Sequence, residues 1–157
     1  MSRYFRTGLF ALGLIGIVGL GTARAQITGP VNFTTSFPFT VGQTNFPAGS
    51  YSLRPVGPED SDLTLEVVGI TNHKAAMFLT ERTSSPTPAA QSDISFVRYG
   101  DRYFLTNVEI AGEDDGVQAA MTREEAREAR EHGKGTTHKV ALFMGAPAKS
   151  PTATPAM

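Results

Sequence analysis

The segment ISFVRYGDRYFLTNVEI, residues 94–110, constrains this chain more than any other. Two strongly β-prone runs meet at Gly100-Asp101, and glycine at the first central position suits a two-residue type II′ hairpin turn. The turn sets a register. Tyr99 opposes Arg102, Arg98 opposes Tyr103, Val97 opposes Phe104 and Phe96 opposes Leu105. One face then carries Ile94, Phe96, Arg98, Tyr103 and Leu105, and the other carries Val97, Tyr99, Phe104, Val108 and Ile110. A ribbon that is apolar on both faces has to be covered on both, which places it in the middle of a sheet.

The N-terminus reads as a secretory leader. Arg3 and Arg6 precede an uncharged, Leu/Ile/Gly-rich stretch over residues 8–21, and Ala23-Arg24-Ala25 offers a small-x-small cleavage site. Residues 1–25 are therefore expected to be a signal peptide, cut after Ala25 to leave Gln26 first. The apolar stretch is shorter than the roughly 20 residues of a spanning helix. No other long apolar run follows, so no transmembrane segment is expected after cleavage. Loss of Arg3, Arg6 and Arg24 lowers Lys+Arg from 14 to 11 against 15 Asp+Glu, a net charge of −4. A mildly acidic domain without a basic stripe argues against a nucleic-acid partner. There are no cysteines, which excludes disulfide staples, a lipid-modified cysteine, a Cys nucleophile and thiolate metal sites. The expected destination is the periplasm or the exterior of the cell.

Residues 26–143 read as a single β domain. Val31, Phe33, Thr35, Phe37, Phe39 and Val41 alternate with polar residues, as in a strand with one core face, and Pro38 marks an edge or a bulge. Residues 42–45 have turn composition. Tyr51 and Leu53 share a face of the next strand, which Pro55 and the GPEDSD run stop. In LTLEVVGI, residues 63–70, Leu63, Leu65 and Val67 keep phase while Val68 and Ile70 slip, as at a bulge or a buried end. KAAMFLTE, residues 74–81, reads as a strand of buried type. Residues 82–93, rich in Ser, Thr, Pro and Ala, read as a long exposed loop. GEDDG, residues 112–116, reads as a turn.

Thr122-Arg123-Glu124-Glu125 is a capping box that opens a helix over residues 122–132. Its charge leaves only Met121, Ala126 and Ala129 for apolar contact, so it is expected on the surface. Lys139 to Phe143 reads as a last strand, and residues 144–157 as a disordered tail. The expected fold class is all-β: a small antiparallel barrel or sandwich of about seven or eight strands, with one short surface helix near the C-terminus.

FPAGSYSL (residues 46–53), FVRYGDRYFL (96–105) and TREEAREARE (122–131) together resemble a family of small exported bacterial β proteins of unknown function. Its marks are a PAG-x-Y turn-strand, an RYGDRYFL-like hairpin and a C-terminal Glu/Arg-rich helix. The resemblance spans residues 31 to about 131. It implies the fold and the location and carries no activity with it.

Arg98, Tyr99, Arg102 and Tyr103 cluster around the hairpin turn and form a ligand-patch candidate, since two guanidinium forks beside two phenols suit an anionic or sugar-like group. The simpler reading is cross-strand pairing, with Asp101 balancing charge. Glu113, Asp114 and Asp115 lack the ligand spacing of a dedicated calcium loop. His73, His132 and His138 show no metal-ligand spacing, so no metal or other cofactor is expected. No G-x-S-x-G elbow is present, and Glu66 and Glu109 are strand carboxylates without supporting spacing. No catalytic constellation emerges. The chain reads as an exported, non-enzymatic envelope or secreted module engaging an envelope or extracellular partner. One alternative is a small-ligand carrier with an open barrel interior, and another is a hydrolase with an unrecognised site.

Overall fold

The structure, a computed structural model, describes residues 29–57 and 64–144. The expected leader, most of the GPEDSD turn together with Leu63, and the tail after Met144 lie outside them. Pro38 splits the first alternating run into β1 (Val31–Thr35) and β2 (Phe39–Val41). β3 (Thr44–Phe46) returns on β2 through Gly42-Gln43, with Gly42 in the left-handed region at φ 60. Thr44 and Asn45, expected in the turn, therefore belong to a strand. β4 (Gly49–Pro55), β5 (Thr64–Gly69) and β6 (Ala75–Ser84) form a meander. The central hairpin is β7 (Asp93–Tyr99) and β8 (Arg102–Glu109), followed by β9 (Asp115–Ala119). α1 (Arg123–His132) precedes β10 (Thr136–Ala141) and β11 (Phe143–Met144), so Met144 ends a strand instead of starting a tail.

The ladder runs β10-β7-β8-β9-β6-β5-β4-β1-β11. β2 joins it beside β8 through a parallel pair, Thr40 with Phe104, which makes the otherwise antiparallel sheet mixed. As hydrogen-bonded, it is open. Its two outer members, β10 and β11, are consecutive in the chain with Leu142 between them. Eleven strands stand among the described residues, where about seven or eight are expected. Pro38 and Leu142 each divide a run, and β3 and β9 form from residues with turn-like or unpatterned sequence.

The hairpin is interior, as its two-sided pattern requires. β7 lies between β8 and β10, while β8 is flanked by β7 and, on its other side, by β2 and then β9. The four expected cross-strand pairs occur. Gly100 has φ 56, and Asp101 is not among the residues with positive φ, as a type II′ turn demands. Phe96 is 0% exposed and Phe104 2% exposed, on opposite faces.

The register beyond Phe96 differs from expectation. A bulge lets Ser95 face Asn107 and Ile94 face Val108, with Thr106 as the extra residue, whose hydroxyl donates to Ser95 O at 3.2 Å. The bulge reverses the faces of the residues beyond it. Val108 joins Ile94, Phe96 and Leu105 in the core, with Ile110 packed against it, instead of lying beside Phe104.

That core is largely aromatic. Phe39 stacks on Phe46 with centroids 5.2 Å apart, and Phe33 stacks on Tyr51 at 5.5 Å. Phe96 meets Phe39 edge-on at 5.1 Å. The Tyr51 hydroxyl donates to Pro47 O, closing the PAG turn against its own strand. Complete burial of each such ring contributes roughly 1.5–3 kcal/mol.

Two strands differ from their expected character. β5 keeps regular pairing with both neighbours, with Leu65, Val67 and Gly69 buried, so Val68 and Ile70 mark no bulge. β6 alternates instead of being buried throughout, with Phe78 and Thr80 inside and Met77 and Leu79 63% and 65% exposed. It also runs on to Ser84, first against β5 and then against β9, which shortens the expected loop.

Candidate functional site

The four turn residues do not form one patch. Because cross-strand partners share a face, Arg98 and Tyr103 project to one side of the hairpin and Tyr99 and Arg102 to the other. The Arg98 guanidinium lies 5.6 Å from the Tyr103 ring centre, donates to Gly100 O at 2.7 Å and meets Asp101 at 3.0 Å. Tyr103 stacks on Phe37 at 4.1 Å. On the opposite face Arg102 bridges Glu124 at 2.7 Å and Glu128 at 3.1 Å, and thereby anchors α1 over the hairpin. The hydrogen bond from Arg102 pulls the Glu124 carboxyl below the usual glutamate range. Both guanidinium groups thus have carboxylate partners within the chain.

Helix α1 opens as its sequence prescribes. The Glu125 amide donates to the Thr122 hydroxyl at 3.1 Å, and the Glu125 carboxylate accepts from the Thr122 backbone. Its contact face is not the expected one. Met121 is exposed, whereas Glu125 and Glu128 are buried. The His132 ring lies against Gly100, and Gly135 lies against the Arg98 carbonyl, where an added Cβ would stand 3.0 Å from the oxygen. Polar docking by Arg102 thus replaces the apolar contact expected of Ala126 and Ala129.

The docked helix forms one wall of a cleft of about 460 Å³ on the outer face of β7, β8 and β9. The floor carries Val97, Thr106, Asn107 and Gln118. Tyr99, Met121 and Glu125 stand at the helix side. The opposite wall is the loop around Ser85, Thr87 and Ala89, tied to the turn near Glu113. Ser85 N donates to Asp114 O, Ala89 N to Glu113 O and Gly112 N to Ala89 O. The Thr106 bulge is decisive here, because it turns Asn107 and Glu109 outward into the cleft.

The lining mixes carboxylates with Ser, Thr and Tyr hydroxyls and the side-chain amides of Asn107 and Gln118. Glu125 is 5% exposed, and burial raises its carboxyl above the ordinary range despite the opposing bond from Thr122. Burial first, and then the charge of Glu125, raises the Tyr99 phenol. Asn107 Nδ2 donates to Glu109 Oε1 at 3.2 Å, while buried Asn107 Oδ1 has no donor. Lys139 reaches Glu109 at 2.7 Å and the buried Asp93 at 3.2 Å, and these bonds, Glu109 foremost, hold its ammonium pKa above the ordinary range.

Other sequence candidates scatter. His73 sits in a turn at φ 52, and His138 lies 5.2 Å from Tyr103. Glu66 pairs with Arg54 at 2.7 Å in the β4–β5 half of the sheet, far along the ladder from Glu109. Sequence reading passed over Asn107, Gln118 and Glu125 as site residues. For Asn107 the one signal was the three-residue step from Leu105 to Val108, longer than the two of an unbroken strand. No family model, curated protein or solved structure matches this chain.

Proposed function

We propose that the protein is an exported, non-enzymatic binding module of the cell envelope or its surroundings, with the outer-face cleft as its binding site. The leader-like N-terminus and the likeness to small exported bacterial β proteins support the location. We further infer that the sheet forms a small barrel, with residues 136–144 spanning from β7 to β1, because β10 and β11 are consecutive pieces of one segment.

The observation that carries the reading is the cleft itself. It has the volume of a small-molecule site, it lies outside the core, and its largely polar floor is carried by the paired strands β7, β8 and β9. A carrier that holds cargo inside the barrel is disfavoured, since Phe33, Phe39, Phe46, Tyr51 and Phe96 fill the interior ring against ring. Thermal-shift screening of the purified protein against small polar compounds tests the reading. At least one compound should raise the melting temperature, and Gln118→Trp, which fills the cleft from an exposed strand position, should abolish that rise. If no compound stabilises the protein in a Gln118-dependent way, the cleft is not the site.

A further inference from the structure

The cleft combines a charge pattern with an apolar strip, and together they narrow the class of ligand; the inference rests on the cleft being the binding site. Five carboxylates border it, those of Glu109, Glu113, Asp114, Asp115 and Glu125, and no Lys, Arg or His lines it among the described residues. The acceptors go beyond charge. Asn107, on the floor of the cleft, carries a buried Oδ1 that has no donor. Since Asn107 Nδ2 is committed to Glu109, the oxygen cannot be exchanged for the amide nitrogen without losing that bond. A ligand that satisfies this oxygen must donate.

The carboxylates do not converge on a point. Among the described residues, one set of three acidic or histidine ligand atoms lies within 4.8 Å of one another, and it is Glu128, Glu131 and His132 on α1. There Glu128 already serves Arg102 and Arg127. A hard divalent ion needs several oxygens within about 2.6 Å of one centre, which the cleft does not assemble. Its acidic groups are instead spread along the strands. Glu125 stands with Tyr99 at one end. Glu109 stands opposite Asp93, which at strand rise is about 20 Å along β7 from Tyr99. Val97 lies between the two, and Ala119 and Met121 add apolar lining.

We propose that the cleft binds a linear, multiply charged amine, with one ammonium group between the Glu125 carboxylate and the Tyr99 ring and another at Glu113, beyond Glu109, whose two oxygens already accept from Asn107 and Lys139. The methylenes between the charges lie over Val97. An ammonium donates three hydrogen bonds and accepts none, which suits the carboxylates and the Asn107 oxygen of the lining, and an aromatic face adds attraction for a cation. Neutral polyols donate as well, but they bring no positive charge to the carboxylates that Lys139 does not reach.

Calorimetric titration of the purified protein with spermine, at neutral pH and low salt, tests the assignment. One saturable site is expected. Glu125→Gln keeps a capping residue, because Gln also serves in a capping box. Glu113→Gln removes a charge from the opposite end. Each should weaken spermine about tenfold, the scale of one charge-assisted hydrogen bond. Glu131→Gln, on the exposed side of α1, should leave binding unchanged. Preferential binding of tetraethylene glycol, tripolyphosphate or calcium, blocked by Gln118→Trp, overturns the amine class and leaves the cleft reading standing. Binding of a lysine-rich peptide without spermine likewise overturns the small-amine assignment. Spermine binding that survives both Glu125→Gln and Gln118→Trp places the amine elsewhere and overturns the inference.

Discussion

At the residue scale, two neighbouring glutamates respond to acid in opposite senses. Glu124 is held low by Arg102, so its contribution to stability is present above the ordinary glutamate pKa and is lost as pH falls through the lowered one. Glu125 is raised by burial, so the folded state holds its proton more tightly than the unfolded chain does. Its contribution is present below the ordinary pKa and is lost as pH rises through the raised one. Denaturant melts of Glu125→Gln across the acidic range should therefore show a gain in stability relative to wild type as pH rises, with little difference at the acid end. The cap residue has its own cost: Thr122→Ala removes an acceptor from the Glu125 amide and should cost about 1 kcal/mol.

Single residues also show where sequence patterning reaches its limit. Gly100 is readable, because a II′ turn needs a left-handed first residue and glycine supplies it without strain. Thr106 is not readable from propensity, since threonine suits a regular strand as well as a bulge. One extra residue there changes the face of Asn107, Val108 and Glu109 together. The cleft depends on that inversion.

At the scale of elements, α1 and β6 are the informative cases. The helix is held through Arg102 and close packing at Gly100 and Gly135, more than by an apolar stripe. Arg102→Ala leaves Glu128, whose side chain is 10% exposed, without its bridging guanidinium and should cost about 2 kcal/mol. The loss should be local. Hydrogen exchange should accelerate in α1 while the amides of β7 and β8 stay protected. In β6 the neighbouring residues Phe78 and Leu79 have opposite fates. Phe78→Ala should cost about 3 kcal/mol, whereas Leu79→Thr should fall within about 0.5 kcal/mol of wild type in the same melts. The run AAMFL is apolar in every position, so composition alone cannot say which side is wet.

At the scale of the whole molecule, the aromatic cluster ties the first and last thirds of the sheet together. Phe33 on β1 contacts Tyr51 on the neighbouring β4 and Phe96 on β7, which is distant from β1 along the ladder. Phe33→Ala should therefore cost about 3–5 kcal/mol and lower the cooperativity of unfolding, so that fluorescence and circular-dichroism melts no longer coincide. With no cysteine in the chain, this packing carries stability that other small domains draw from disulfides.

By itself the sequence determined the all-β class, the central hairpin with its four-pair register, the inward Tyr51 and Leu53, and the capped helix. Each follows from a local rule: a turn residue of required φ, a period of two, or a side chain that reaches its own backbone. Tertiary structure alone decided the division of the first run at Pro38, the placement of β10 and β11 on separate partners, the exposed face of β6 and the Thr106 bulge. It also decided that Arg98 and Arg102 end on opposite faces, each with a carboxylate partner, and that Glu125 is buried beside a cleft. These depend on which distant strand lies alongside, and the energy that selects it comes from packing and ion pairing between residues far apart in the chain.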